Sequence, residues 1–187
     1  MVQFLNSKQS YGIIAQLLHW FTTALVLVQI GLGLYAASLP VSLARLQWLS
    51  HHKSLGLTLL ALVLVRLLWR RVDAPPELPD AMPCWERRVA LIVHRALYLL
   101  LVLAALSGWL YASAAGLSAS WFGVLPMPDL ISRNADFAPY IRGAHKGSVA
   151  ILALLSIAHI GAAARHGFIL RDGLALRMLS IGRRSKE

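Results

Sequence analysis

Four long runs of apolar residues, separated by polar clusters, organise this chain. They extend from about Gly12 to Tyr35, Leu49 to Trp69, Val89 to Ala115 and Gly143 to Ala164. Each reaches the roughly 20 residues that a helix rising about 1.5 Å per residue needs to cross a hydrocarbon core. Leu, Ala, Val and Ile fill the runs without the two-residue alternation of barrel strands. A backbone in lipid must satisfy its own hydrogen bonds, so the runs predict transmembrane helices. The expected fold is all-α: a four-helix transmembrane bundle forming one membrane domain over residues 1–187, with spans near 12–35, 49–69, 89–115 and 143–164. The first run is longer than the roughly 7–15-residue apolar core of a signal peptide, and it contains His19, so it reads as a retained span.

The connections carry their own signals. Arg70 to Arg88 holds Pro75, Pro76, Pro79 and Pro83, which predicts a structured turn. The longest connection, about Gly116 to Arg142, carries Trp121, Phe122, Pro126, Pro128 and Pro139 and reads as an interfacial cap. Residues 165–187 read as a basic amphipathic tail on the cytoplasmic leaflet.

Composition supports the membrane reading. The 187 residues are 58% hydrophobic and 14% charged, with a mean hydropathy of +0.63. Soluble domains average roughly 45–50% and about 25%, so a soluble enzyme is excluded. A net charge of +10 and a pI near 10.7 would also suit a nucleic-acid binder, but the placement of the cations argues otherwise. Lys8, Arg66, Arg70, Arg71, Arg87, Arg88, Arg95, Arg165, Arg171, Arg177, Arg183, Arg184 and Lys186 fall on one side of the predicted spans. Arg45, Lys53, Arg133, Arg142 and Lys146 fall on the other. Thirteen against five places both termini in the cytoplasm and makes the basic charge an inner-leaflet address. The single cysteine, Cys84, excludes an internal disulfide framework and Cys-rich metal sites.

Histidine supplies the candidate chemistry, because ionisable groups inside spans are costly and mark function. His19 lies seven residues into the first run, and His159 stands at a similar depth before the same-side end of the fourth. At the other surface His52 opens the second run and His145 the fourth. His145 and His159 are fourteen residues apart, which returns them to within roughly 40° of one helix face and separates them by roughly 21 Å. Two pairs at two depths suit two bis-histidine haems held between facing helices. Zinc would want three or four ligands converging on one point. Gly12, Gly56, Gly143, Gly147 and Gly161 would let helices or a porphyrin approach closely. His51 competes with His52, since adjacent helix positions point about 100° apart and cannot both ligate one iron.

Several sequence pieces carry a resemblance. They are Leu18-His19-Trp20, His52-Lys53-Ser54-Leu55-Gly56 leading to Val65-Arg66-Leu67-Leu68-Trp69-Arg70, His94-Arg95-Ala96-Leu97-Tyr98, Trp121-Phe122-Gly123, and His145 with His159. In this order and over nearly the whole chain, they resemble the small four-helix bacterial cytochrome b561 family, within the wider hydrogenase-cytochrome-b group. The resemblance implies a multi-pass cytochrome of the bacterial inner membrane with two haem b groups. It implies that His19 and His159 bind the cytoplasmic-side haem and His52 and His145 the periplasmic-side haem. The fourteen-residue spacing to Arg66 matches the family at His52 rather than His51.

Within that family the resemblance implies oxidation of superoxide to dioxygen with reduction of ubiquinone. Lys53, Arg142 and Lys146 would then steer the anion towards the outer haem. A quinone needs partners for its two carbonyl oxygens and a proton route, which His94 and His166 could bound. The competing expectation is an electron-transfer subunit linking a partner dehydrogenase or hydrogenase to the quinone pool.

Overall fold

A computed structural model describes residues 3–79 and 81–179. In chain order the elements are α1 (Ile13–Ser38), α2 (Leu43–Val72), α3 (Cys84–Ala114), β1 (Ser120–Trp121), β2 (Leu125–Pro126), α4 (Ala138–Ala164), a π-helical segment (Arg165–Leu170) and α5 (Leu176–Leu179). Each apolar run is a helix, and α2 and α4 begin well before their runs do. Pro139, expected in the loop, instead occupies the first turn of α4, where its missing N–H has no intrahelical partner to lose. Of the tail, the described part is the π-helical segment, a turn and α5. Arg183, Arg184 and Lys186 lie outside the described residues.

Among the described residues, three helices are long and apolar enough to cross a membrane: Ile13–Ser38, Cys84–Ala114 and Ala138–Leu170. The helix α2 is not among them; it carries Arg45, Lys53, Arg66, Arg70 and Arg71. Two of these cations bond within the protein: Lys53 to loop carbonyls, Arg66 to His19.

The connections are tightly built. The backbone N–H of Asn6 reaches both carboxylate oxygens of Asp73 at 3.1 Å, and Arg87 donates to the Pro79 carbonyl at 2.9 Å. The helix α3 ends at Ala114 and is followed by Gly116 (φ 69°). There the N–H of Leu117 reaches the Ala112 carbonyl and that of Gly116 the Ser113 carbonyl, a left-handed C-terminal cap. The strands β1 and β2 pair antiparallel, Ser120 opposite Pro126 and Trp121 opposite Leu125. The turn joining them has positive φ at Phe122 (51°) and Gly123 (74°), matching the twist of a tight hairpin. This hairpin is an addition to the expected all-α fold; two-residue strands leave no periodicity to read.

The chain divides into two compact units. One comprises the segments up to Phe21, Leu64–Tyr98 and from Ala153; the other comprises Thr22–Val63 and Leu99–Leu152. Every long helix contributes to both. Buried positions in these helices are often small or polar, among them Gln16, Thr22, Gln29, Ser54 and Ser113, while Leu34, Leu68, Ile92, Leu154 and Ile157 are exposed. Such an arrangement suits lipid, where helices associate through close packing and polar contacts rather than by hiding apolar surface from water.

Candidate functional site

In the Thr22–Val63 and Leu99–Leu152 unit, His52 of α2 faces His145 of α4. Their ring centres are 6.3 Å apart and the planes cross at 80°. His145 directs Nδ1 at the Ala104 carbonyl, 2.9 Å away. A carbonyl only accepts, so Nδ1 carries the proton and Nε2 presents its lone pair, the tautomer a metal ligand requires. Gln29, buried on α1, donates from Nε2 to the backbone carbonyl of His52 at 2.9 Å and fixes that turn of α2. Each ring also lies against a glycine. A Cβ built on Gly33 would fall 3.1 Å from His52 Cε1, and one on Gly108 3.1 Å from His145 Cε1.

In the other unit, His19 of α1 faces His159 of α4, with ring centres 6.4 Å apart and planes at 74°. Here Arg66 Nη2 lies 2.7 Å from His19 Nδ1. The same guanidinium stands 5.1 Å above the ring of Tyr98, and Arg70 stands 5.7 Å above it. His94 is a third imidazole beside this pair, 5.1 Å from His159.

An iron atom held between two imidazoles sets their ring centres about 6 Å apart, from two metal–nitrogen bonds of about 2 Å and two ring half-widths of about 1 Å. Both opposed pairs meet that requirement. His94 stands closer to His159 than that and belongs beside the pair rather than across an iron from it. The residues therefore fit haem. His145 fits it in its present hydrogen bonding, the buried Nδ1 of His52 has no partner among the described residues, and His52, His19 and His159 fit it in their spacing.

The other candidate residues separate. His51 is exposed and packs on Trp48, with ring centres 5.8 Å apart, so His52 is the one facing His145. Lys53 donates from Nζ to the carbonyls of Leu117 and Ser118, both at 2.9 Å. It is a tie between α2 and the loop rather than a free cation. Ser54 reinforces that tie by donating to the Ser120 carbonyl and accepting from the Phe122 N–H. Arg142 and Lys146 line a hollow of about 470 Å³ together with Tyr111. His94 lines a different hollow, of about 530 Å³, with Arg70, Arg71, Arg95 and Tyr98. His166 is held by Asp172, Nδ1 to Oδ2 2.6 Å. In that carboxylate slight burial acts upward, but the Leu174 N–H and the hydrogen bond and charge of His166 outweigh it and hold Asp172 below its ordinary pKa.

Sequence reasoning missed Gln29, Gly33 and Gly108. Of the glycines it chose, Gly12 admits the backbone of Phe4 and Leu5 and Gly56 admits the Gln29 amide. Gly143, Gly147 and Gly161 have no neighbour within 4 Å of a built Cβ. A glutamine inside an apolar run was the one available signal for Gln29.

The family described as prokaryotic cytochrome b561 matches residues 10–180. Cytochrome b561 homolog 2 of Escherichia coli strain K12 is 32% identical over 184 residues, covering 95% of this chain and 95% of that protein. Cytochrome b561 homolog 1 of the same organism is 26% identical over 163 residues, covering 87% and 92%. The chain belongs to the prokaryotic cytochrome b561 family, and with it to the bacterial membrane cytochromes that bind b-type haem and transfer electrons.

Proposed function

We propose that this cytochrome carries two haem b groups, one between His19 and His159 and one between His52 and His145, and that it oxidises superoxide to dioxygen while reducing ubiquinone. The helix α2 is then the fourth membrane crossing, both termini are cytoplasmic, and the His52–His145 haem is the periplasmic one. Overall, two superoxide anions give two dioxygen molecules, and one ubiquinone takes up the two electrons and two protons. Haem, when bound, supplies reversible one-electron transfer.

The observation carrying this reading is the position of cationic groups beside one ligand. On α4, Arg142 and Lys146 flank His145 in sequence and border a hollow of about 470 Å³. A focused positive surface raises the local concentration of a small anion. Lys53 acts indirectly, by holding the loop residues Leu117 and Ser118. On the cytoplasmic side, His94 joins a ligand pair to the hollow of about 530 Å³ and offers a ubiquinone carbonyl a hydrogen-bond partner and a proton path. His166, fixed by Asp172, bounds the quinone region from the end of α4.

The test is rapid-mixing spectroscopy of the purified protein. Superoxide should reduce the haem α-band, and ubiquinone should reoxidise it. His145→Ala should halve haem per chain and abolish the superoxide step. If superoxide leaves the band oxidised while a copurifying dehydrogenase reduces it, the chain is an electron-transfer subunit instead.

A further inference from the structure

The hollow of about 530 Å³ bordered by α2 and α3 has a property that a quinone does not use. Its half-buried lining includes Leu67, His94 and Tyr98, and the exposed side chains of Arg71 and Arg95 stand at its rim with Arg70 beside them. Arg70 is held over the Tyr98 ring at 5.7 Å, which fixes one guanidinium in place. Among the described residues no carboxylate pairs with any of the three; the ion pairs formed are Arg165–Glu86 and His166–Asp172. Three cations around one hollow repel one another until an anion joins them. A neutral quinone ring would leave them uncompensated.

The surroundings narrow the choice of anion. On the membrane side of Arg70 and Arg71 along α2, Leu64 and Leu68 are 48% and 68% exposed. Guanidinium groups match phosphate oxygens two at a time, and basic pockets between transmembrane helices suit lipid headgroups. We propose that Arg70, Arg71 and Arg95 bind the phosphate of an anionic phospholipid whose chains run along Leu64 and Leu68. The phosphate takes the arginine rim and leaves the His94 side of the same hollow to the ubiquinone of the proposed function, so that the two bind together.

The experiment is native mass spectrometry of the haem-loaded full chain, stripped of lipid in detergent and then offered phosphatidylglycerol, phosphatidylcholine or inorganic phosphate. The wild type should retain phosphatidylglycerol about tenfold better than phosphatidylcholine. R71Q/R95Q, altered only at exposed side chains, should lose that preference with haem content unchanged, and R71K/R95K should keep part of it. Equal retention of the two lipids by the wild type would overturn the proposal, as would full retention of phosphatidylglycerol by R71Q/R95Q. Displacement of the lipid by millimolar phosphate alone would identify a free-anion site. Displacement by ubiquinone, one for one, would assign the hollow to the quinone. Either displacement refutes a lipid site.

Discussion

Arg66 Nη2 lies 2.7 Å from Nδ1 of His19. A guanidinium carries only donors, so the imidazole accepts here, whereas His145 donates from the same atom to the Ala104 carbonyl. A ligand histidine ordinarily donates its second N–H outward, so His19 and His145 are supported with opposite polarity. Arg66→Gln replaces a cation by a group whose oxygen accepts from Nδ1–H. The expected result is a lower midpoint potential for the His19–His159 haem, by several tens of millivolts or on the order of 1–2 kcal/mol, with the other haem unmoved. Redox titration of the α-band measures it. An unchanged potential would mean that Arg66 turns away once iron is bound.

Gly108 and Gly33 leave no room for a methyl group beside the rings of His145 and His52, 3.1 Å in each case. Gly108→Ala should force the His145 ring aside by a few tenths of an ångström and destabilise the protein by about 1–3 kcal/mol, as overpacking does. The electron paramagnetic resonance signal of the His52–His145 haem should shift and the melting temperature should fall. Gly143→Ala, with open space at its Cβ in α4, is the control and should leave the signal in place without lowering the melting temperature.

Lys53 and the Arg142–Lys146 pair should differ in their response to salt. Arg142→Gln with Lys146→Gln should slow reduction by superoxide and flatten its dependence on ionic strength, since screening acts on free surface charge. Lys53→Met should leave the salt dependence in place. Its effect should be faster proteolysis between Gly116 and Met127, because the tie to the Leu117 and Ser118 carbonyls is lost. A flattened salt dependence in Lys53→Met would return Lys53 to the steering set.

Acid should loosen the turn after α4. The carboxyl of Asp172 is held below its ordinary pKa in the folded chain, burial acting upward but outweighed by the Leu174 N–H and by His166. A depressed carboxyl contributes stability above its unfolded value of about 3.9, and that stability is lost as pH falls through the lower folded value. Exchange protection of the Leu174 amide, corrected for intrinsic rate, should therefore hold from neutral pH down to about pH 4 and drop below it. Asp172→Asn should remove the drop. Protection that declines above pH 5 would contradict this account.

What could be read from the sequence was whatever a single helix determines. Run length marked four spans, of which α1, α3 and α4 are long and apolar enough to cross a membrane, and imidazoles inside apolar runs marked the four ligand candidates. What escaped depends on which elements meet. The closeness of Gly108 to His145 is a property of α3 against α4, and the Lys53 tie joins residues 64 and 65 positions apart. No local pattern encodes either. His94 and His166 looked alike in sequence, as polar residues near helix ends. Tertiary packing gave one a hollow and the other a carboxylate.

Each facing pair takes one imidazole from α4, the last long helix to be made. During synthesis, α1 and α2 emerge with half of each grip and nothing opposite. On the haem assignment proposed above, neither iron would be held on both sides until His145 and His159 of α4 had been made. A chain stalled before that point would leave His19 and His52 in the membrane, able to hold iron from one side only.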